Sequence, residues 1–266
     1  MEPLIVHIDG IGFWSPGIPD WAALTHVIES GVAAQSDANA RPSPNALPPT
    51  ERRRAPEPVL LACEAAGQAC AMAGRDASAL ACVFTSTHGD LAITDAMCAT
   101  LAADPRELSP TRFHNSVHNA PSGYWTVAAH CHAAATAISA AQASFAAGLL
   151  EAAIEVHADN DAVLLSAYDI AARGPLAEVA PSTQAFAIAF VLSAERSERS
   201  LARLSIQTVQ QRASSTSETP SLLAPLEGNP MAAQVMPLLI ALGRREASSV
   251  TITSGAETSL RIEVTP

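Results

Sequence analysis

The stretch AAHCHAAATAISAAQASFAAGLLEA, residues 128–152, decides how the chain is read. From His132 to Ala152 it is small or apolar at almost every position, which predicts a helix buried on all sides. Cys131 stands between two histidines at the start of that helix. A thiol at a helix N-terminus lies near unsatisfied N–H groups, whose partial positive charge favours the thiolate. Cys131 therefore reads either as a nucleophile or as a buried, unreactive thiol.

The rest of the chain alternates between strand and helix patterns. LIVHIDGIGFW (4–14) predicts a buried strand, and WAALTHVIESG (21–31) a short helix closed by Gly31. Residues 32–57 predict a surface loop. APEPVLLACEAAGQACAMAG (55–74) predicts a helix with Pro near its start and Gly at its end. ALACVFTSTHGD (79–90) predicts a buried parallel strand that opens onto a polar loop. Residues 91–103 read as helix and 104–125 as a polar loop. AAIEVHAD (152–159), FAIAFVLSAE (186–195) and ARLSIQTVQ (202–210) read as strands. A turn at 213–225 leads to a helix over 229–245. SSVTIT and TSLRIEVT then close the chain as a hairpin around Ser254-Gly255-Ala256. This order is α/β, without a short-period repeat.

Composition narrows the function. Net charge is −11 and every basic residue is Arg, so a Schiff-base or P-loop lysine is excluded. An acidic chain without a basic stripe does not suit nucleic acid. The single basic cluster, Arg52-Arg53-Arg54, reads as a solvated helix start or as a docking point for an acidic partner. The five cysteines form no CxxC pair and no zinc spacing, which predicts reduced thiols in a cytoplasmic protein with no metal and no cofactor. The first residues lack the features of a signal peptide, and no apolar run is long enough to span a membrane.

Several segments, in order, resemble the β-ketoacyl synthases, and in particular a smaller subfamily of N-terminal-like proteins. LPPTERRRAPEPVLLACEAAGQA resembles the arginine-rich loop and first long helix, and ACVFTSTHGD the strand and glycine turn that follow. FHNSVHNAPSGYW resembles the segment before the active-site turn. Cys131 is followed 17 residues later by Gly148, as the family's nucleophile is followed by a glycine. The resemblance implies a thiolase-like layered αβαβα fold. It implies that Cys131 holds the nucleophile's position. It also implies that Asn229, in LEGNPMAAQ, stands where a His or Asn would assist.

The chain departs from that pattern in its C-terminal half. Residues 158–266 contain no histidine, and the family's His-Gly-Thr-rich motif has no counterpart. The expected organisation is a ketosynthase N-terminal-like half (1–200) and a reduced C-terminal half (201–266). The resemblance then implies a non-catalytic, chain-length-factor-like subunit, with Cys131 vestigial. Its partners would be a complete ketosynthase, as a heterodimer or higher assembly, and acyl carrier protein, in fatty-acid-like or aryl polyene pigment synthesis. The alternatives are an active acyltransferase using Cys131 and a structural scaffold homodimer. His114, Asn115, His118, Asn119, Ser122, Gly123, Tyr124 and Trp125 are the expected interface or tunnel residues. Residues 152–158 are the expected edge strand for pairing with a partner. Loss of most of the second half is expected to leave apolar surface needing a cover, at about 25 cal/mol per Å².

Overall fold

Leu4–Trp14 forms a long central strand, β1, buried over most of its length in the computed structural model. The structure describes residues 2–34, 37, 39–158, 161–180, 182–211 and 219–266. Val6, Ile8, Ile11 and Phe13 lie on one face of β1; a bulge between Ile8 and Gly10 keeps Ile11 on the face of Ile8. The other face carries Gly10 and Gly12. A methyl group on either would collide with the backbone carbonyl of Ala69 or Ala65. Those alanines belong to helix α3 (Glu57–Ala73), which therefore rests directly on the β1 backbone. The alanine-rich core suits such close layers.

The remaining elements follow in chain order. Helix α1 (Trp21–Ser30) begins at the Asp20 cap and ends at Gly31 (φ 65°), and α2 is the single turn Pro49–Arg52. Strand β2 (Ala81–Thr85) leads to helices α4 (Leu91–Ala103), α5 (Pro110–Asn115) and α6 (Ala120–Ala128). Strand β3 (Ala135–Ile138), helix α7 (Ser144–Ala158) and strands β4 (Ala162–Asp169), β5 (Phe186–Ser193) and β6 (Ala202–Val209) come next. Helix α8 (Pro230–Arg244) and the hairpin β7 (Ser248–Thr253) and β8 (Ser259–Thr265) close the chain.

The strands join in the order β3-β2-β4-β5-β1-β6-β8-β7. β2 runs parallel to both β3 and β4, and the other pairs are antiparallel. β1 is the junction: residues 4–8 pair with β6, and residues 7–14 with β5. Helices α3 and α6 cover one face of the first five strands. Helices α7, α8 and α1 pack on the other face, and α8 also lies against β7 and β8.

The structure corrects four expectations. Residues 132–152 are not one helix: β3, a turn and the start of α7 share them. Alanine is the best helix former, but pairing with β2 overrides that preference at an edge strand. Residues 152–158 are the last turns of α7 rather than a strand. The sheet edges are β3 and β7 instead. The loop expected at 104–125 holds α5 and most of α6. Strand β4, wholly buried, follows where no strand was expected. In the turn expected at 213–225, residues 213–218 lie outside the described residues.

The described strands of residues 201–266 themselves leave little apolar surface to water. Leu204, Ile206, Val250, Ile252, Leu260 and Ile262 are buried on one face of β6-β8-β7. Residues such as Gln207, Ser249, Thr253 and Glu263 are exposed on the other, so this sheet face meets water with polar side chains.

Candidate functional site

The turn from β3 into α7 is held in an unusual backbone conformation. Ala141 has φ +47°, in the left-handed region that residues other than glycine rarely adopt. Ser144, fully buried, holds the turn from inside: its hydroxyl accepts from the Ala140 amide (2.9 Å) and donates to the Ala141 carbonyl (2.6 Å). Thr85, at the end of β2, donates to the Ser144 carbonyl (2.9 Å). A strained strand-to-helix turn of this kind is how α/β enzymes present a nucleophile. Here the strained position carries a methyl group, and Ala141 and Gln142 are exposed.

Cys131 is elsewhere. It follows α6, where His130 (φ +52°) closes the helix in a Schellman arrangement. The Cys131 amide donates to the Thr126 carbonyl (2.8 Å) and the His130 amide to the Val127 carbonyl (3.3 Å). The residue therefore sits at the exit of a helix and not at the start of one, which corrects the expectation. Its Sγ donates to the Leu80 carbonyl (3.2 Å) and the side chain is buried. Cys131 and Ala141 lie at opposite ends of β3. Neighbouring Cys70 and Cys82 are buried too, and burial pushes both thiols up to about 12.

A polar hub underlies the turn. The carboxylate of Asp169, at the end of β4, accepts from the Ser86 hydroxyl (2.8 Å), the Thr87 amide (2.8 Å) and the Thr87 hydroxyl (2.6 Å). Burial raises its pKa against the opposing pull of those donors. The loop it holds reaches two neighbours: the Thr87 carbonyl accepts from Ser139 (3.1 Å), and the Ser86 carbonyl accepts from the His118 ring (3.3 Å). The loop was legible as the polar end of β2. Asp169 is not, because the sequence pattern predicts no strand at 162–169.

The expected interface residues do not form one cluster. Asn115 and His118 come together with Asp90 and Tyr168 around a small cleft beside the starts of α3, α4 and α6. Tyr124 donates to Asn115 (3.3 Å), and Ser122 turns back to the Asn119 carbonyl (2.9 Å). Trp125 is fully in the core, while His114, Asn119 and Gly123 face outward. The cleft has room for about one water and cannot hold an acyl chain. Asn229 is wholly buried and fully engaged as the cap of α8. Its oxygen accepts from Met231 and Ala232, and its amide donates to Asp169, Ser182 and Gln184, so no donor is left for a substrate. Among the described residues no group of three or more His, Cys, Asp or Glu could hold a metal, and no helix is long and apolar enough to cross a membrane.

Similarity to known proteins agrees with this architecture. No curated protein matches the chain. Among solved structures, it is similar to the ketosynthase (ApeO) in complex with its chain length factor (ApeC) from Xenorhabdus doucetiae. The TM-score is 0.72 at 24% identity, over 98% of this chain and 99% of that chain. It is similar to the ishigamide ketosynthase/chain length factor (TM-score 0.71, 13% identity, 97% and 98% covered). It is also similar to AntDE:AntF, a type II PKS acyl-carrier protein in complex with its ketosynthase (TM-score 0.74, 11% identity, 100% and 99% covered). At these identities the likeness is one of fold, and the fold is thiolase-like. The family described as "Beta-ketoacyl synthase, N-terminal domain" matches residues 27–245, most of the sequence. The chain belongs to the beta-ketoacyl synthase N-terminal domain family.

Proposed function

We propose that this chain is a non-catalytic, chain-length-factor-like partner of a β-ketoacyl synthase in fatty-acid-like or aryl polyene synthesis. The observation that carries the reading is the turn at 138–144. Ala141 holds a left-handed backbone at a strand-to-helix turn, a geometry suited to presenting a nucleophile, and we read its methyl group as standing where a reactive side chain would project. Cys131 does not replace it: it is buried, hydrogen-bonded to Leu80 and at the far end of β3. Asn229 is committed to capping α8. An acyltransferase using Cys131 would need that thiol to leave the core.

The surface around β3 supports a partner subunit. β3 is an edge strand, and no other described strand pairs with its outer side. Helix α6 touches it and carries Val127, 77% exposed. Phe113 on α5, 58% exposed, and Val117 before α6 are further exposed apolar side chains in the segment that leads into α6. A stable interface needs about 800 Å² from each partner, with apolar anchors near its centre. An acyl tunnel would form against the partner; the small cleft lined by Asn115 and His118 is too small to hold an acyl chain. Arg53 and Arg54, exposed beside the start of α3, make no ion pair with the described residues, whereas Arg52 is tied to Ser43. They offer an acidic carrier protein a docking point on an otherwise acidic chain.

Co-expression with a candidate ketosynthase tests the reading, followed by intact-mass measurement after incubation with acylated carrier protein. The expected result is a stable complex with no acyl adduct on this chain. A stable monomer that ignores the ketosynthase at micromolar concentration would remove the partner role. A stoichiometric adduct on Cys131 would establish the acyltransferase instead.

A further inference from the structure

We propose that the cleft between β4 and the starts of α3, α4 and α6 is a built site for one buried water molecule, which Tyr168, Asp90, Asn115 and His118 hold. Tyr168 is almost fully buried, and its hydroxyl has no hydrogen-bond partner among the described residues. A buried hydroxyl left unmade costs about 1–3 kcal/mol, so native proteins rarely leave one unsatisfied. The side chain lines the cleft, which has room for about one water.

The polar lining suits a water better than any larger or charged ligand. The carboxylate of Asp90 caps α4 through the Ile93 amide (2.8 Å) and keeps acceptor capacity. The Nε2 of His118 donates to the Ser86 carbonyl, which can only accept, and this fixes the ring beside the cleft. The oxygen of Asn115 accepts from Tyr124, leaving its amide hydrogens as donors. A single water both donates and accepts, and these groups together supply the two to four partners a buried water requires. An anion would stand against the Asp90 carboxylate. Burial raises the pKa values of both Asp90 and Tyr168.

The consequence is mechanical. Neither Pro56 at the start of α3 nor Asn119 at the start of α6 caps its helix through a side chain. The water would tie the sheet, through Tyr168, to the junction from which α4 and α6 depart. This site does not depend on the chain-length-factor reading.

A crystal structure of the full chain, at a resolution that orders buried water, tests the proposal directly. A peak within hydrogen-bond distance of the Tyr168 hydroxyl and of Asp90, Asn115 or His118 is expected. A direct protein partner for Tyr168, or no peak, would overturn the proposal. The sign of the Tyr168→Phe effect is an independent reading. With a water in place, the variant strands the water's hydrogen bonds, and the thermal midpoint falls by about 2–4 °C. An unchanged or higher midpoint, as expected for removal of an unsatisfied hydroxyl, would overturn the proposal as well.

Discussion

Replacing Asp169 separates the carboxylate's hydrogen bonding from its charge. Alanine at this position removes the acceptor for three donors at once: the Ser86 hydroxyl, the Thr87 hydroxyl and the Thr87 amide. The hydroxyls can turn toward other acceptors, but the amide is fixed by the backbone. A hydrogen bond to a charged group contributes about 1.5–3 kcal/mol, and a stranded buried donor costs about 1–3, so Asp169→Ala should lose about 3–5 kcal/mol. Asparagine keeps one oxygen for Ser86 and the Thr87 amide, and the Thr87 hydroxyl can reverse to accept from the new amide. Asp169→Asn should therefore lose only about 1 kcal/mol.

The pH dependence has a definite sign. Burial raises the folded pKa above the ordinary value of 3.8, so the folded state holds this proton more tightly than the unfolded chain does. Asp169's contribution to stability is therefore greatest below the unfolded pKa. It declines as pH rises from that value to the raised folded value, and is flat above it. Asp169→Asn should remove this slope. Urea unfolding of the full chain, read as the midpoint at constant m, measures both effects. An alanine variant within about 1 kcal/mol of wild type, or an asparagine variant as damaged as the alanine one, would refute the reasoning.

Four further outcomes are expected. Gly12→Ala drives a methyl group into the Ala65 carbonyl of α3, and thermal unfolding should show a loss of about 1–3 kcal/mol or more. Cys131→Ala should leave both complex formation and the rate of the ketosynthase pair unchanged in a reconstituted assay. Val127→Asp and Phe113→Glu, both at exposed positions, should weaken association with the ketosynthase while leaving the fold's own unfolding midpoint in place; sedimentation measures the first and calorimetry the second. Thiol labelling of the native chain should modify Cys98 rapidly and spare Cys63, Cys70, Cys82 and Cys131, since only Cys98 is exposed and burial raises the pKa values of Cys63, Cys70 and Cys82.

Local patterning was enough for much of the framework. β1, α1, α3, β2, α4, β5, β6, α8 and the final hairpin follow from alternation, helical spacing and the punctuation of Gly31, Gly74 and the proline-led helix starts. The absence of lysine and of any histidine after residue 157 could be read directly from the sequence, since it needs no contact to be known. His118 and Asn115 were legible as part of a polar constellation, since their density in a short segment marks them without any contact being known. The division of residues 128–152 was not legible. A run of alanines carries no hydrophobic period, and its intrinsic preference is helical. It becomes a strand at 135–138 because β2, some fifty residues earlier, offers it a parallel ladder from Cys82 to Thr85. That pairing carries Cys131 to one end of β3 and the strained turn to the other, so the position of the nucleophile falls on Ala141 under the proposed reading. Asp169 was hidden for the same reason: its three donors come from a loop more than eighty residues away. Side-chain type and spacing determine what each segment can form, but only strand pairing between distant segments decides which end of a strand faces which loop.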